Sequence, residues 1–126
     1  MERGWTMGRA EVSVLVEVLK DHGYRVILNH AVVGESGIEH EFDVVAVRGG
    51  ESLFFNFAGD DVEASYLSMV GTYMDLRGDG RRFFVVASSD AVQGTSELYG
   101  EVDLLLYSSV EELEAKLREL LEGPTA

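Results

Sequence analysis

Residues 37–61, GIEHEFDVVAVRGGESLFFNFAGDD, decide how the rest of this chain is arranged. They predict a β-hairpin with strands EHEFDVVAV and ESLFFNFA, joined by a turn at residues 48–50. Asp43 directly precedes the apolar run of residues 44–47, and Asn56 is the one polar residue among the large apolar residues of the second strand. A carboxylate in apolar surroundings costs desolvation free energy unless a partner offsets it. Asp43 is therefore the first candidate for a functional residue.

Composition predicts one folded domain spanning residues 1–126, with residues 1–5 and 123–126 frayed. The chain is 46% hydrophobic and 26% charged, which is typical of a globular protein. It has no cysteine, so disulfides and thiolate metal sites are excluded and a reducing, cytoplasmic setting is expected. No apolar run approaches the roughly 18 residues needed to span a membrane, so we expect no membrane contact.

The charge of the chain bears on its partners. Ten Lys and Arg residues against 23 Asp and Glu residues give a formal net charge of −13 and a pI near 4.4. Nucleic-acid binding draws on basic groups that replace counterions along the phosphates, and here only Arg81 and Arg82 are adjacent. The charge therefore disfavours nucleic acid as a partner, although a local basic patch would still permit it.

The remaining segments alternate between helical and strand patterns. Helical spacing of apolar residues covers residues 6–22, 62–77 and 110–123, with Asp60 or Asp61 as the N-cap of the second helix. Short apolar runs predict strands at residues 24–33, 82–88 and 102–107, and residues 89–100 predict a short helix. The order α-β-β-β-α-β-(α)-β-α predicts an α/β fold with a mixed central sheet flanked by helices.

This order, together with the segment GIEHEFDVVAV, resembles the restriction-endonuclease-like core of the PD-(D/E)xK nuclease superfamily. The likeness is strongest to its archaeal, Mrr-type branch, which shares its core with archaeal Holliday-junction resolvases, and it covers roughly residues 6–107. In such enzymes an acid on the first helix, an Asp on the second strand and a Glu-x-Lys on the third surround one or two Mg²⁺ ions. Those ions activate water and neutralise the charge of the phosphodiester transition state.

The resemblance implies a degenerate active site in this chain. Asp43 matches the metal-binding aspartate, and Glu11 stands where the helix acid is found. Asn56, Phe57 and Ala58 take the place of Glu-x-Lys, so a neutral carbonyl oxygen replaces a carboxylate and a methyl group replaces the lysine. The vestigial pocket would thus be Glu11, Asp43, Asn56 and Ala58. No cofactor is expected, and Mg²⁺ would bind, at Asp43, only if the residual site is functional.

Structural roles compete with these assignments. Asp43 can cap a backbone amide or pair with Arg25 or Arg48, and Asn56 can hydrogen-bond to Asp43 or to backbone. Glu11 is better explained as a residue of a solvated helix face than as the helix acid.

A cluster of metal ligands is not expected in the first strand of the hairpin. Strand alternation puts Glu39, Glu41 and Asp43 on one face and His40 with Phe42 on the other, so they do not converge. No Ser-His-Asp arrangement is apparent along the chain.

Three hypotheses for function follow. The first is a catalytically inactive, nuclease-like domain that binds a protein partner or self-associates, for example as a homodimer through its aromatic and methionine-rich surface. The second is a metal-dependent DNA endonuclease or resolvase with a rearranged active site. The third is a pseudonuclease that binds nucleic acid without cutting it.

Overall fold

The computed structural model describes residues 9–91 and 101–122, which form an α/β fold of three helices and five strands. The elements in chain order are α1 (Arg9–Asp21), β1 (Arg25–Val33), β2 (Glu39–Arg48), β3 (Glu51–Phe57), α2 (Val62–Leu76), β4 (Arg81–Ser88), β5 (Val102–Tyr107) and α3 (Val110–Glu122). This order confirms the helices and strands predicted from the sequence. Of the short helix predicted over residues 89–100, a 3₁₀ turn at Ser89–Ala91 is observed, and residues 92–100 lie outside the described part, as do residues 1–5 and 123–126.

The five strands form one mixed sheet in the order β1-β2-β3-β4-β5. The pairs β1–β2 and β2–β3 are antiparallel, whereas β3–β4 and β4–β5 are parallel. A parallel pair needs a crossover connection, which α2 provides between β3 and β4. Asp61 is the N-cap of α2, and its side chain accepts a hydrogen bond from the backbone N–H of Ala64. The predicted mixed sheet flanked by helices is confirmed.

Two hydrophobic layers cover the two faces of the sheet. Helices α1 and α3 pack against one face, and α2 packs against the other. Successive phenylalanines of β3 point to opposite layers: Phe55 stacks on Phe84 at 4.7 Å on the α1/α3 side, and Phe54 stacks on Phe83 at 4.9 Å on the α2 side. Phe54 and Phe55 are thus covered within the monomer, whereas Phe57 is half-buried.

Glycine is required where β4 begins beside the hairpin turn. Gly80 has φ +77°, and a Cβ there would lie 2.1 Å from the carbonyl oxygen of Gly50. The same close approach lets the carbonyl of Gly80 accept a 2.7 Å hydrogen bond from the N–H of Ser52. The hairpin turn and the start of β4 are therefore held together at one end of the sheet.

The alternation of β2 changes phase at Asp43. Phe42 belongs to the core on the α2 side, whereas Val44 and Ala46 belong to the core on the α1/α3 side. Directly opposite on β1, Asn29 takes the left-handed conformation with φ +53°, between the pairs Leu28–Val44 and His30–Phe42. His40 and Phe42 share the α2 face as predicted, but the regular alternation ends at Asp43.

Candidate functional site

Asp43 and Asn56 form a clamp between β2 and β3 at the point where the ladder of backbone pairs ends at Val44 and Phe55. The N–H of Asp43 donates to Asn56 Oδ1 at 2.7 Å, and the N–H of Phe57 donates to Asp43 Oδ2 at 2.9 Å. The Asn56 amide donates to the carbonyl of Glu41 at 3.2 Å. Each side chain therefore binds the backbone of the opposite strand.

The hydrogen bonds of the clamp give Asp43 and Asn56 a structural role. Asp43 caps a backbone amide and Asn56 bonds to backbone, which were the structural alternatives for these residues. Arg48, proposed as an ion-pair partner for Asp43, pairs instead with Glu51 at 2.9 Å. Unsatisfied backbone groups in a partly buried position are costly, so the clamp stabilises the end of the hairpin.

The residues of the clamp do not fit the ligand set that Mg²⁺ prefers. This ion takes carboxylate, phosphate and water oxygens in near-octahedral geometry. The clamp supplies one carboxylate and one neutral amide, and an oxygen of each already accepts from a backbone N–H. Within residues 9–91 and 101–122, no three His, Asp or Glu side chains are grouped so that they could hold a metal ion.

The other two residues of the predicted pocket, Ala58 and Glu11, make contacts outside the clamp. Ala58 is 6% exposed in the core on the α2 side, and its N–H donates to the carbonyl of Val86 at 2.8 Å. Glu11 is half-buried and accepts a 3.3 Å hydrogen bond from the Tyr107 hydroxyl. Burial, then the charge of Glu11, raise the pKa of Tyr107 to about 12, so this hydroxyl stays protonated at ordinary pH. Glu11 is thus engaged with Tyr107, and it is not a fully solvated residue of the helix face.

Glu11 and the clamp share one edge of the sheet. The clamp lies near the C-terminal end of β3, and Tyr107 ends β5. Since β3, β4 and β5 are parallel, these ends lie at the same edge. Ala58 follows β3 at this edge, but its side chain is buried under α2.

A second polar cluster, which the sequence analysis missed, fastens the β1–β2 turn to α2. Asp75 Oδ1 accepts from the N–H of Ser36 at 2.9 Å, and Asp75 Oδ2 accepts from the Ser36 hydroxyl at 2.6 Å. His40 Nε2 lies 2.7 Å from Asp75 Oδ2, and Thr72 Oγ1 lies 3.2 Å from His40 Nδ1. We call these four residues, Ser36, His40, Thr72 and Asp75, the latch. They are too distant in sequence for any local pattern to join them.

Electrostatics fixes the direction of the hydrogen bonds in the latch. Hydrogen bonds from Ser36, then from His40, lower the pKa of Asp75 to about 2. The carboxylate is therefore ionised at neutral pH, and His40 Nε2 donates to it. In a neutral imidazole the other nitrogen, Nδ1, then accepts from the Thr72 hydroxyl. A hydroxyl–histidine–carboxylate chain is thus present, with threonine in place of serine, although the sequence analysis found no such arrangement.

Gly34 leaves the space that the Asp75 carboxylate of the latch occupies. A Cβ at this position would lie 2.1 Å from Asp75 Oδ2, so any larger residue would displace the carboxylate. The N–H of Gly34 also donates to the carbonyl of Ile38 at 2.9 Å, which closes the turn. The turn is therefore shaped around Asp75.

An open, largely apolar groove lies beside the latch. Its lining includes the four latch residues together with Ile38 from the turn and Ser68, Gly71 and Met74 from α2, and we call it the α2 groove. Ile38 is 60% exposed and Met74 is 62% exposed. Leu67, 49% exposed, lies four residues before Gly71 on α2 and extends the apolar strip by one turn. Clustered exposed apolar residues make this groove a candidate interaction surface.

Comparisons with known proteins give a fold but no family. No protein-family model matches the chain, and no curated protein matches it. Among solved structures, the crystal structure of AF1548, a protein of unknown function, is similar with a TM-score of 0.56 and 22% sequence identity. The match covers 85% of this chain and 66% of AF1548, so this chain spans slightly less than two thirds of that protein's length. At this identity the likeness shows the fold alone.

In the described part of the chain, no helix is both long enough and apolar enough to cross a bilayer.

The latch predicts a pH-dependent effect of Asp75→Asn. The folded pKa of about 2 lies below the ordinary value of 3.8, so the ionised carboxylate stabilises the fold above pH 3.8. That contribution is lost as the pH falls from 3.8 to about 2. Urea unfolding should therefore show the variant less stable than the wild type above pH 3.8, with the gap closing towards pH 2. Asp79→Asn, in the exposed turn after α2, is the control and should show no such gap. A gap for Asp75→Asn that is constant over this range would contradict the assignment.

Proposed function

We propose that this chain is a non-catalytic domain of restriction-endonuclease-like architecture that works by binding a protein partner. The observation that carries the proposal is the clamp, because oxygens of Asp43 and Asn56 serve backbone N–H groups. The order of helices and strands is consistent with that architecture. Ala58 occupies the position of the lysine that would orient or activate water, and an alanine cannot do either.

The α2 groove is the surface we assign to the partner. A helix with an apolar stripe, laid into an apolar groove, is a common mode of recognition. Exposed acidic residues accompany the groove: Glu63 lies one turn before Leu67 on α2, and the N–H of Glu35 donates to the Asp75 carbonyl. The partner that complements this surface is a basic amphipathic helix.

Charge favours such a partner over a second copy of the chain. Each copy has a formal net charge of −13, so self-association brings like charges together. A basic helix would instead be attracted by the negative charge of the protein, and this attraction would also speed association at low salt.

A metal-dependent nuclease with a rearranged site is the second candidate. Its support is that Glu11 and Asp43 lie at the same edge of the sheet, so two acids are available there. Both acids already accept hydrogen bonds, from Tyr107 and from Phe57 respectively. A nucleic-acid-binding pseudonuclease has less support, because the net charge repels a polyanion.

A cleavage assay separates the first two candidates. Supercoiled plasmid and four-way-junction DNA are incubated with the protein and Mg²⁺ or Mn²⁺. We expect no more cleavage than in buffer, because the clamp does not supply a metal-ligand set. Metal-dependent cleavage that is lost in Asp43→Ala and kept in Asp79→Ala would overturn the proposal and establish the nuclease.

The partner surface is tested with a designed peptide as the probe. A fluorescein-labelled amphipathic helix of Leu and Lys should bind the wild-type protein, and the same helix with Glu in place of Lys should not. Met74→Glu should weaken binding about tenfold, because it puts a charge into the apolar groove. Leu28→Glu makes the same charge change at an exposed residue of β1 and should change the affinity by less than about twofold.

Two outcomes would contradict the assignment. Binding of the Leu and Lys peptide to Met74→Glu as tight as to Leu28→Glu and to the wild type, or tighter, would mean that the negative net charge alone attracts it. A dimer in light scattering that Met74→Glu dissociates would make a second copy of the chain the occupant of the groove.

A further inference from the structure

A pocket rich in arginine lies at the opposite end of the sheet from the clamp, where β3 and β4 begin. Its lining combines basic, aromatic and apolar side chains: Arg48, Arg81, Arg82, Tyr24, Leu120 and Leu121. The hairpin turn brings Arg48 to this end, and the pairing of Ser52 with Arg81 brings the start of β4 alongside it. We call it the arginine pocket.

Positive charge is concentrated here in an otherwise acidic chain. The sequence has ten Lys and Arg residues, and three of them line this one pocket. Glu51 is the one carboxylate among the lining residues. The pocket therefore has a local excess of positive charge within a chain of net charge −13.

Glu51 shows how one corner of the pocket holds an oxyanion. Its Oε1 accepts from the Tyr24 hydroxyl at 2.9 Å and from Arg48 Nη2 at 2.9 Å. The Arg48 guanidinium lies 4.3 Å from the centre of the Tyr24 ring and also donates to the carbonyl of His22 at 2.7 Å. These contacts order the donors before any ligand arrives, and they lower the pKa of Glu51.

Arg81 and Arg82 retain donors for a ligand. Arg81 Nη1 donates to the carbonyl of Leu76 at 2.6 Å, and within the described residues no carboxylate lies in ion-pair range of it. Arg82 is 53% exposed and pairs with Asp103 at 3.1 Å. A guanidinium carries five N–H donors in a planar fork, so most of the donors of both residues remain available. Such forks bind carboxylate and phosphate oxygens in pairs.

We propose that the arginine pocket binds a small organic oxyanion, a carboxylate or a phosphate ester, whose apolar group contacts Leu120 and Leu121. Arg81 and Arg82 hold its charged oxygens, next to the carboxylate of Glu51. The apolar wall favours a ligand with a hydrocarbon part over a bare inorganic ion. The negative field of the rest of the chain favours a small ligand over a long polyanion, because a polyanion extends beyond the pocket. This site is separate from the α2 groove and does not depend on the function proposed there.

The test is a titration with benzoate, phenyl phosphate and the neutral probe benzyl alcohol, followed by amide chemical shifts. Ionic strength is held constant with NaCl so that charge screening does not change. We expect saturable, millimolar binding of one or both anions, with shifts at Tyr24, Arg81 and Leu120, and no binding of benzyl alcohol. The tighter anion identifies whether the natural head group is a carboxylate or a phosphate ester.

Substitutions assign the binding to the arginines. Arg81→Gln and Arg82→Gln should each lower the affinity for the anion about tenfold, as expected for the loss of one charge-assisted hydrogen bond. Arg82→Gln is the more secure variant, because Arg81 also contributes to the structure through Leu76. Arg77→Gln removes an exposed charge that is not part of the pocket and should leave the affinity unchanged.

Three results would overturn the proposal: the absence of saturable shifts, equal affinities in Arg82→Gln and Arg77→Gln, or benzyl alcohol binding as tightly as the anions.

Discussion

Where the β2–β3 ladder ends, the two strands stay joined because Asp43 and Asn56 each bind the backbone of the other strand. The same position is where the alternation of β2 changes phase and where Asn29 on β1 is left-handed. Side-chain oxygens accept from the N–H groups of Asp43 and Phe57 where the backbone ladder no longer does, so these two donors keep partners. A pair of polar residues in the pattern of a metal site therefore serves the fold itself.

The helices and strands could be predicted because the sequence patterns that indicate them are local. The period of apolar residues predicted the helices and strands of the described part, and Asp60 or Asp61 was predicted as the N-cap of α2, which is Asp61 in the structure. The apolar run of β4 predicted a strand buried on both faces, as observed, whereas for the aromatic residues of β3 the sequence left a dimer interface and coverage within the monomer equally open. Strand alternation alone could not predict the phase change at Asp43, because this change coincides with the left-handed conformation of Asn29 in another strand.

The sites were harder to predict because they are assembled across the sheet. The latch joins Ser36 and His40 to Thr72 and Asp75, and the arginine pocket joins Arg48 to Arg81 through parallel pairing of β3 with β4. Neither has a spacing that a sequence pattern could reveal. The chain thus offers three distinct regions: a clamp that stabilises one edge of the sheet, an apolar groove on α2, and a basic pocket at the opposite end.

We propose that Asp43 stabilises the hairpin and does not hold a metal ion, and urea unfolding with and without millimolar Mn²⁺ tests this directly. Asp43→Ala leaves the N–H of Phe57 without its acceptor, so its free energy of unfolding should fall by about 1–3 kcal/mol. Mn²⁺ should leave the wild-type value unchanged. A ligand that binds only the folded state raises stability. Stabilisation of the wild-type protein by Mn²⁺, absent in Asp43→Ala, would therefore contradict the account.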